Sequence, residues 1–490
     1  MNTAALNSLM DIDKKYPTPL VVDFLARPDN QAFLDYVYKD PFGCHVFPGD
    51  IIDYHEASFI RDMAMHINEV GKIHLWVYIP TCRYRCHFCQ FPTLILNPDT
   101  DASKSVFQDI VDLNIQEAQM WLRKIPTLSE VEVVEFNVFG GTPSLLPEIE
   151  LRRMMAFYKN NFNFTSATLR FEGEPGTLNK AYLSLLKELG FSKISFGVQS
   201  FNNKIIANCG RRHTAEEAKE TILQARNQGI DWTSIDLIYG MAGQTVDDVK
   251  YDMEQVLQLN LSHVVCTKLH LDEFLRKRTG VSGERASLWQ KKEISHLPGL
   301  GKQYQMREVI EHYLSKHYTE HPTMYFHRND QPAEKWKGLI TDLDKQFPEI
   351  AIGLGGSSKC MNAESINTTN FKNYKSLVMD WCLPVGEIRG ISASQREINA
   401  FKMALSTLIP VDDRTFKKRF AGKSFFENEV INYAISTMVQ KELATLSDNV
   451  VTLTPVGITL VEAIINTQFI PFHSKDYKNE RFKFALQSRI

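Results

Sequence analysis

Between residues 73 and 271 the chain alternates short apolar runs with longer stretches whose apolar residues recur every three or four positions. The runs are I-H-L-W-V-Y-I-P (73–80), V-E-V-V-E-F-N-V-F (131–139), S-A-T-L-R-F-E-G-E-P (166–175), K-I-S-F-G-V-Q-S (193–200), W-T-S-I-D-L-I-Y-G (232–240) and H-V-V-C-T-K-L-H-L (263–271). They are too short for helices and rich in Val, Ile and aromatic residues, so they read as strands. The stretches 103–124, 148–161, 178–189, 214–228 and 245–259 carry helical periodicity. Such alternation predicts parallel strands joined by right-handed crossovers, with both sheet faces covered. The number of repeats predicts an α/β fold of the full or partial (β/α) barrel type.

Beyond residue 275 the pattern loosens. R-K-R-T-G-V-S-G-E-R-A-S-L-W-Q-K-K-E (276–293) reads as a charged connection and N-D-Q-P-A-E-K-W-K-G (329–338) as a polar loop. Residues 392–408 and 424–443 then regain helical patterning, and V-V-T-L-T-P-V-G-I-T-L-V-E-A-I-I (450–465) reads as a two-stranded wing followed by a helix. The expected organisation is an N-terminal extension (1–72), a core barrel (73–275), a segment that completes the barrel (276–390), a small helical, winged-helix-like domain (391–475) and a tail (476–490).

Composition narrows the class little. With 490 residues, 43% hydrophobic and 23% charged, the chain has material for two or three cores. A formal net charge of −3 gives no bulk electrostatic reason to expect nucleic acid or an anionic membrane as partner. The N-terminus lacks a basic segment leading into an apolar one, and no run of about 18 apolar residues occurs, so the expected location is the cytoplasm, with no membrane partner.

Cysteine placement changes the picture. Of eight cysteines, only Cys82, Cys86 and Cys89 cluster, at C-x-x-x-C-x-x-C spacing immediately after the first strand. One cluster of three suits a reducing compartment better than a disulfide framework. Thiolates this close in a loop bind a soft metal centre, zinc or iron–sulfur. Structural zinc closes four ligands, and His87 is the only nearby fourth donor. Three thiolates on a [4Fe–4S] cluster leave one iron open to a small chelating ligand. The other motif residues also fall just after strands, namely Gly140-Gly141-Thr142-Pro143, Glu172, Gln199 and Asp236, where folds of this class build ligand sites.

With the cysteine triplet, the segments F-G-G-T-P-S-L-L-P (139–147), F-E-G-E-P-G-T-L-N (171–179), I-S-F-G-V-Q-S-F-N-N-K-I-I-A-N-C-G-R-R-H-T (194–214), D-L-I-Y-G-M-A-G-Q-T (236–245) and 450–465 resemble, in order, the oxygen-independent coproporphyrinogen III dehydrogenase (HemN-like) family of the radical S-adenosylmethionine (SAM) superfamily. The resemblance runs from about Ile73 to about Phe469. It implies a [4Fe–4S] cluster on Cys82, Cys86 and Cys89, with SAM on the open iron. It further implies SAM contacts from Gly140 in the glycine turn, Gly141 and Thr142 to the amino group, Arg211 to the carboxylate, Asp236 to the ribose, Glu172 and Gln199 at the polar rim, and Phe88 and Ile238 near adenine. Other implied partners are a one-electron reductant such as flavodoxin or ferredoxin and a small-molecule substrate.

The chain also departs from that family. Trp76 and Tyr78 stand where the porphyrinogen enzymes carry Tyr and His, Phe91 replaces an extra Cys, Phe139 replaces the first Gly of G-G-G-T-P, and Ala242 replaces a Pro. These departures favour a methyltransferase or cyclopropanase branch that uses two SAM molecules, with Trp76 and Tyr78 as contacts of the second SAM or of substrate. On that reading one SAM supplies a 5′-deoxyadenosyl radical and the other a methyl-derived carbon to an sp² centre. Porphyrinogen decarboxylation and haem carriage are the alternative expectations.

Overall fold

The computed structural model describes residues 2–39, 54–89, 91–230, 232–270, 296–330 and 347–469. The charged connection at 276–293 and the tail from 476 lie outside them, as does most of the 329–338 loop. Three short helices, α1 (Thr3–Leu9), α2 (Leu20–Ala26) and α3 (Gln31–Tyr38), precede α4 (Glu56–Val70). Strand β1 (Lys72–Ile79) leads into the cysteine segment, where β2 (Thr81–Cys82) and β3 (Leu94–Ile95) pair in parallel.

Five strand–helix repeats follow. They comprise α5 (Asp101–Lys124), β4 (Glu132–Gly140), α6 (Glu148–Asn161), β5 (Thr168–Gly173), α7 (Lys180–Glu188), β6 (Lys193–Gln199), α8 (Asn203–Asn208), α9 (Ala215–Asn227), β7 (Trp232–Tyr239), α10 (Val246–Leu259) and β8 (His263–Lys268). Local chemistry sets the helix starts. Thr100 caps α5, and the capping boxes Thr214/Glu217 and Thr245/Asp248 start α9 and α10, each satisfying backbone N–H groups that the first turn leaves unpaired.

Strands β1, β4, β5, β6, β7 and β8 are neighbours in that order and all parallel, which is the arrangement the alternation implied. After α11 (Leu300–Leu314), β9 (Tyr318–Glu320) and β10 (Tyr325–Arg328) extend the β8 edge antiparallel. On the other edge β11 (Glu349–Ile352) adds parallel to β1, and β12 (Ser357–Lys359) and β13 (Ala363–Asn367) continue antiparallel. Beyond α12 (Phe371–Met379), β14 (Val385–Gly390) closes that edge. Among the described residues the sheet has twelve strands, from β14 at one end of the order to β9 at the other. Its antiparallel margins escaped the sequence reading because strands of three to six residues carry too little periodicity to register.

The C-terminal part holds α13 (Ala393–Ser406), β15 (Val411–Asp412), α14 (Asp413–Arg419), α15 (Glu429–Gln440), the wing strands β16 (Ala444–Ser447) and β17 (Val450–Leu453), α16 (Pro455–Thr459) and α17 (Val461–Thr467). Its core includes Phe401, Phe425, Ile435 and Ile464, and also Leu9, Val22, Phe33 and Leu34 from the first three helices. The two ends of the chain thus share one hydrophobic core. A separate, larger core lies between the parallel strands and their helices.

Candidate functional site

Strand register sorts the central strands into two faces. One face carries Leu75 and Val77 of β1, Phe136 and Val138 of β4, Leu169 and Phe171 of β5, Ile194 and Phe196 of β6, and Ile235 and Leu237 of β7, all buried in the main core. The opposite face carries His74, Trp76 and Tyr78, then Glu135, Asn137 and Phe139, then Arg170 and Glu172, then Lys193, Ser195 and Gly197, then Ser234, Asp236 and Ile238. Lys193 Nζ donates to Glu135 Oε2 at 3.1 Å. Arg170 pairs with Glu172 at 3.3 Å and donates to Ser195 Oγ at 3.0 Å. Buried polar atoms on or beside this face that make no hydrogen bond to described residues include His74 Nε2, Trp76 Nε1, Glu135 Oε1, Asn137 Oδ1 and Arg211 Nε.

The cysteine loop sits where these strands end. Cys82 closes β2, Cys86 and Cys89 follow in the loop, and all three are half-buried. Thr142 Oγ1 lies 3.6 Å from Cys82 Sγ, and Arg211 Nη1 lies 3.5 Å from Cys86 Sγ. Burial pushes the Cys82 thiol up to about 12 and the Cys89 thiol up to about 11, with neighbouring cysteine charge adding to both. Such thiols are poor nucleophiles, and a cationic metal centre is what would ionise them. Among the described residues no three His, Cys, Asp or Glu side chains gather around a single-ion site. A cubane cluster needs no such common point, because each thiolate meets a different iron. His87 Nδ1 is 2.9 Å from the Asn208 carbonyl oxygen, an engagement that ties its ring to the α8 end.

The glycines fit close approach. A Cβ on Gly141 would lie 2.9 Å from Cys82 Sγ and 2.5 Å from the Thr81 carbonyl oxygen, and Gly140 holds φ +124° against the Tyr78 ring. The Thr142 N–H donates to the Thr81 carbonyl at 2.6 Å, so this turn is clamped to the cysteine segment.

Arg211 lies between a thiol and a carboxylate. Its Nη2 donates to the Gly197 carbonyl, and its Nε stands 3.9 Å from Glu174 Oε1. Burial opposes its charge, but Cys86 and Glu174 outweigh that and hold it above the usual arginine value. Glu174 also accepts from Tyr84 Oη and lies 3.7 Å from His213 Nδ1; despite burial, His213 and Arg211 hold it below the ordinary carboxylate range. Asp236 is raised to about 7, mainly by burial and then by the Glu172 charge, with Arg170 and Arg211 opposing. Gln199 is buried at the end of β6 with φ +71°.

Phe88 and Ile238 pack together in two small apolar clusters, one with Ile205, Cys209 and Met241, the other with Ala242 and Leu269. Trp76 and Tyr78 both meet the Phe139 ring edge-on at 5.4 Å, and Tyr78 donates its hydroxyl to the Pro92 carbonyl at 2.8 Å. The structure thus brings the cysteines, Gly140, Gly141, Thr142, Glu172, Gln199, Arg211 and Asp236 to one end of the sheet. Sequence reasoning missed Glu174, Tyr84 and His213. Glu174 shares the F-E-G-E-P segment with Glu172, but neither spacing nor resemblance distinguished it.

Residues 76–256 match the model of the radical SAM superfamily. They form a radical SAM domain. The domain spans β1 to α10 and so contains the cysteine loop, the glycine turn, Arg211 and Asp236. Among curated relatives, the heme chaperone HemW of Bacillus subtilis is 24% identical over 386 residues, covering 78% of this chain and 95% of that protein. HemW of Lactococcus lactis is 27% identical over 288 residues, covering 58% and 68%. The oxygen-independent coproporphyrinogen III oxidase of Salmonella typhimurium is 28% identical over 209 residues, covering 42% of this chain and 44% of the enzyme. Among solved structures, coproporphyrinogen III oxidase (HemN) from Escherichia coli matches with a TM-score of 0.74 at 18% identity, covering 87% of this chain and 96% of that one, which establishes the shared fold. These relatives bear the names of the two alternative expectations, haem carriage and porphyrinogen oxidation, rather than methyl transfer. Among the described residues no helix is long and apolar enough to cross a membrane.

Proposed function

We propose that the chain is a radical SAM enzyme acting on a carboxylate-bearing tetrapyrrole, with oxidative decarboxylation of porphyrinogen propionates as the reaction its relatives support best. The observation that carries the enzyme reading is the gathering of Cys82, Cys86, Thr142, Arg211 and Asp236 at one end of the parallel strands. Cys82, Cys86 and Cys89 would hold a [4Fe–4S] cluster and Arg211 the carboxylate of SAM, a charge-assisted match of guanidinium to carboxylate. Gly140, Gly141 and Thr142 would receive the amino group, and Asp236 the ribose hydroxyls. Glu172 and Gln199 would form the polar rim, and Phe88 and Ile238 the wall beside adenine. A bound cluster and SAM would supply one-electron radical chemistry. The chain's own residues orient SAM, and Glu174 holds Arg211 in place.

Anaerobic reconstitution should give a brown protein with broad absorbance near 400 nm. Replacing Cys82, Cys86 and Cys89 together with Ala should abolish it. Arg211→Ala should leave the iron in place and weaken SAM binding by about 1.5–3 kcal/mol. A full cluster in the triple variant would overturn the reading.

A second reading, methyl transfer with two SAM molecules, is favoured by one feature: Trp76, Tyr78 and Phe139 form an aromatic wall, and the Tyr78 hydroxyl is already engaged by Pro92. Quantifying 5′-deoxyadenosine, S-adenosylhomocysteine and carbon dioxide with reduced enzyme separates the readings. Decarboxylation gives the first and third, methyl transfer the first and second in near-equal amounts, and haem carriage gives tight haem binding with little of any.

A further inference from the structure

The cysteine loop is held from two sides, one of which the site described above does not include. Inside the loop β2 pairs with β3, and the Leu94 and Leu96 N–H groups donate to the Pro80 and Cys82 carbonyls at 2.5 and 2.8 Å, so its two limbs form one piece. On one side the Thr142 N–H donates to the Thr81 carbonyl and the His87 N–H to the Cys209 carbonyl. On the other stands G-L-G-G (353–356), the turn that follows β11 beside β1. A Cβ on Gly353 would lie 2.5 Å from the Tyr78 carbonyl oxygen and one on Gly355 3.1 Å from Pro92 Cγ, so the turn sits directly against both residues. Gly353 also holds φ +112°, a conformation that glycine alone adopts readily. Tyr78 and Pro92 flank the three cysteines, and the hydroxyl of the first donates to the carbonyl of the second.

Glu117, fully buried on α5, fixes this turn. Its Oε2 accepts from the Gly353 N–H at 2.9 Å and from the Tyr374 hydroxyl at 2.7 Å, and its Oε1 accepts from Asn367 Nδ2 at 2.7 Å. Asn367 Nδ2 also donates to the Gly353 carbonyl at 2.8 Å, so Gly353 is gripped at both its N–H and its C=O. Burial pushes the Glu117 carboxyl above its ordinary value, against which Tyr374, Asn367 and the Gly353 N–H act in that order. A carboxylate taken out of water carries a cost that an apolar side chain would not. Packing alone therefore does not account for an acid here. Its two oxygens do, because they meet three donors from three separate elements, the turn after β11, β13 and α12. A glutamine could not serve all three: its single acceptor oxygen would leave its NH2 group facing either Asn367 Nδ2 or the Gly353 N–H, both donors.

Resting on the proposed reading that Cys82, Cys86 and Cys89 hold a [4Fe–4S] cluster, we propose that Glu117 is a positioning residue of that centre: through Gly353 and Asn367 it holds the 353–356 turn against Tyr78 and Pro92, and so fixes where the cysteine loop stands. It acts only through that turn. Tyr374 shares the same carboxylate but lies off the path to the loop, which makes it the control.

The test uses the full chain, reconstituted anaerobically, as wild type, Glu117→Gln, Asn367→Ala and Tyr374→Phe. Two quantities are read for each: the rate at which the cluster gives up iron to a chelator, and the urea midpoint of the cluster-free chain. Glu117→Gln should release iron about tenfold faster than wild type, the scale seen when a residue that orients metal ligands is lost. Asn367→Ala, which frees the Gly353 carbonyl but leaves its N–H on Glu117, should fall between the two. Tyr374→Phe should lower the urea midpoint and release iron at the wild-type rate. Iron release that follows the urea midpoint across all three variants, Tyr374→Phe included, overturns the positioning role and leaves Glu117 a general stabiliser. Wild-type release from Asn367→Ala and Glu117→Gln overturns it as well, and if Glu117→Gln does not fold, the contrast between Asn367→Ala and Tyr374→Phe decides. A wild type that acquires no cluster at all overturns the parent reading instead.

Discussion

The two faces of the same strands obey opposite rules. On one, Phe136, Val138, Phe171, Ile194 and Phe196 are fully buried against helices, and every contact favours folding. On the other, strands of equal length bury Glu135, Asn137, Arg170 and Lys193, charges and amides that cost free energy to remove from water. The apolar face holds the strands in register, and the polar face uses that rigidity to keep ionisable groups in place without optimal pairing. Stability and chemistry are thus separated by one residue of alternation.

The sharpest way to test that separation is on the apolar side. Phe171 is fully buried, with Phe191 5.3 Å and Tyr182 6.0 Å away ring to ring. Phe171→Ala should cost about 3–5 kcal/mol by urea unfolding. Its folded fraction should still take up a normal complement of iron. A cost under about 1 kcal/mol would mean that this face is not what holds the domain together.

On the polar side the corresponding change is Glu135→Ala, which leaves Lys193 buried without its 3.1 Å partner. The expected loss is about 3 kcal/mol, because an unpaired buried ammonium retains its desolvation cost. The double change Glu135→Leu/Lys193→Met should recover most of it, since both charges then disappear together. If the double variant were no better than the single one, the ion pair would be contributing to stability in its own right and the contrast between the faces would weaken.

How much of this was legible beforehand follows from the same contrast. The parallel strands and most of their helices could be read because alternation with a helical period leaves a long signal. The antiparallel margins and the joining of both chain ends in one core depend on contacts between distant residues, which no local period encodes. At the site, the cysteine loop, Gly141, Arg211 and Asp236 were legible through motif and resemblance, and the structure brings them to one end of the sheet. Glu174 was not, because its significance lies in being near Tyr84, Arg211 and His213, which come from other loops. The polar character of the second face was visible as His, Glu, Asn, Arg and Lys inside apolar runs. Sequence alone could not say that these residues faced one another.

The smallest expected effect concerns the residue where the two demands meet. Asp236 has its carboxyl raised from 3.8 to about 7, first by burial and then by Glu172. Between those values the folded protein keeps a proton that the unfolded chain has released, so stability falls as pH rises across that window. The contribution is fully present below about pH 4 and gone above about pH 7. Asp236→Asn removes both the titration and the repulsion from Glu172. Relative to wild type, the variant should be nearly neutral at pH 4 and more stable by about 1–2 kcal/mol at pH 8 in urea unfolding, a figure discounted for the residue's partial exposure. It should also bind SAM more weakly at pH 8, because a neutral amide accepts less strongly from ribose hydroxyls than a carboxylate does. Higher stability with weaker binding would show a charge kept for function against the preference of the fold. Equal stability at both pH values would show that Asp236 is well solvated, and the polar face would then need no ligand to explain it.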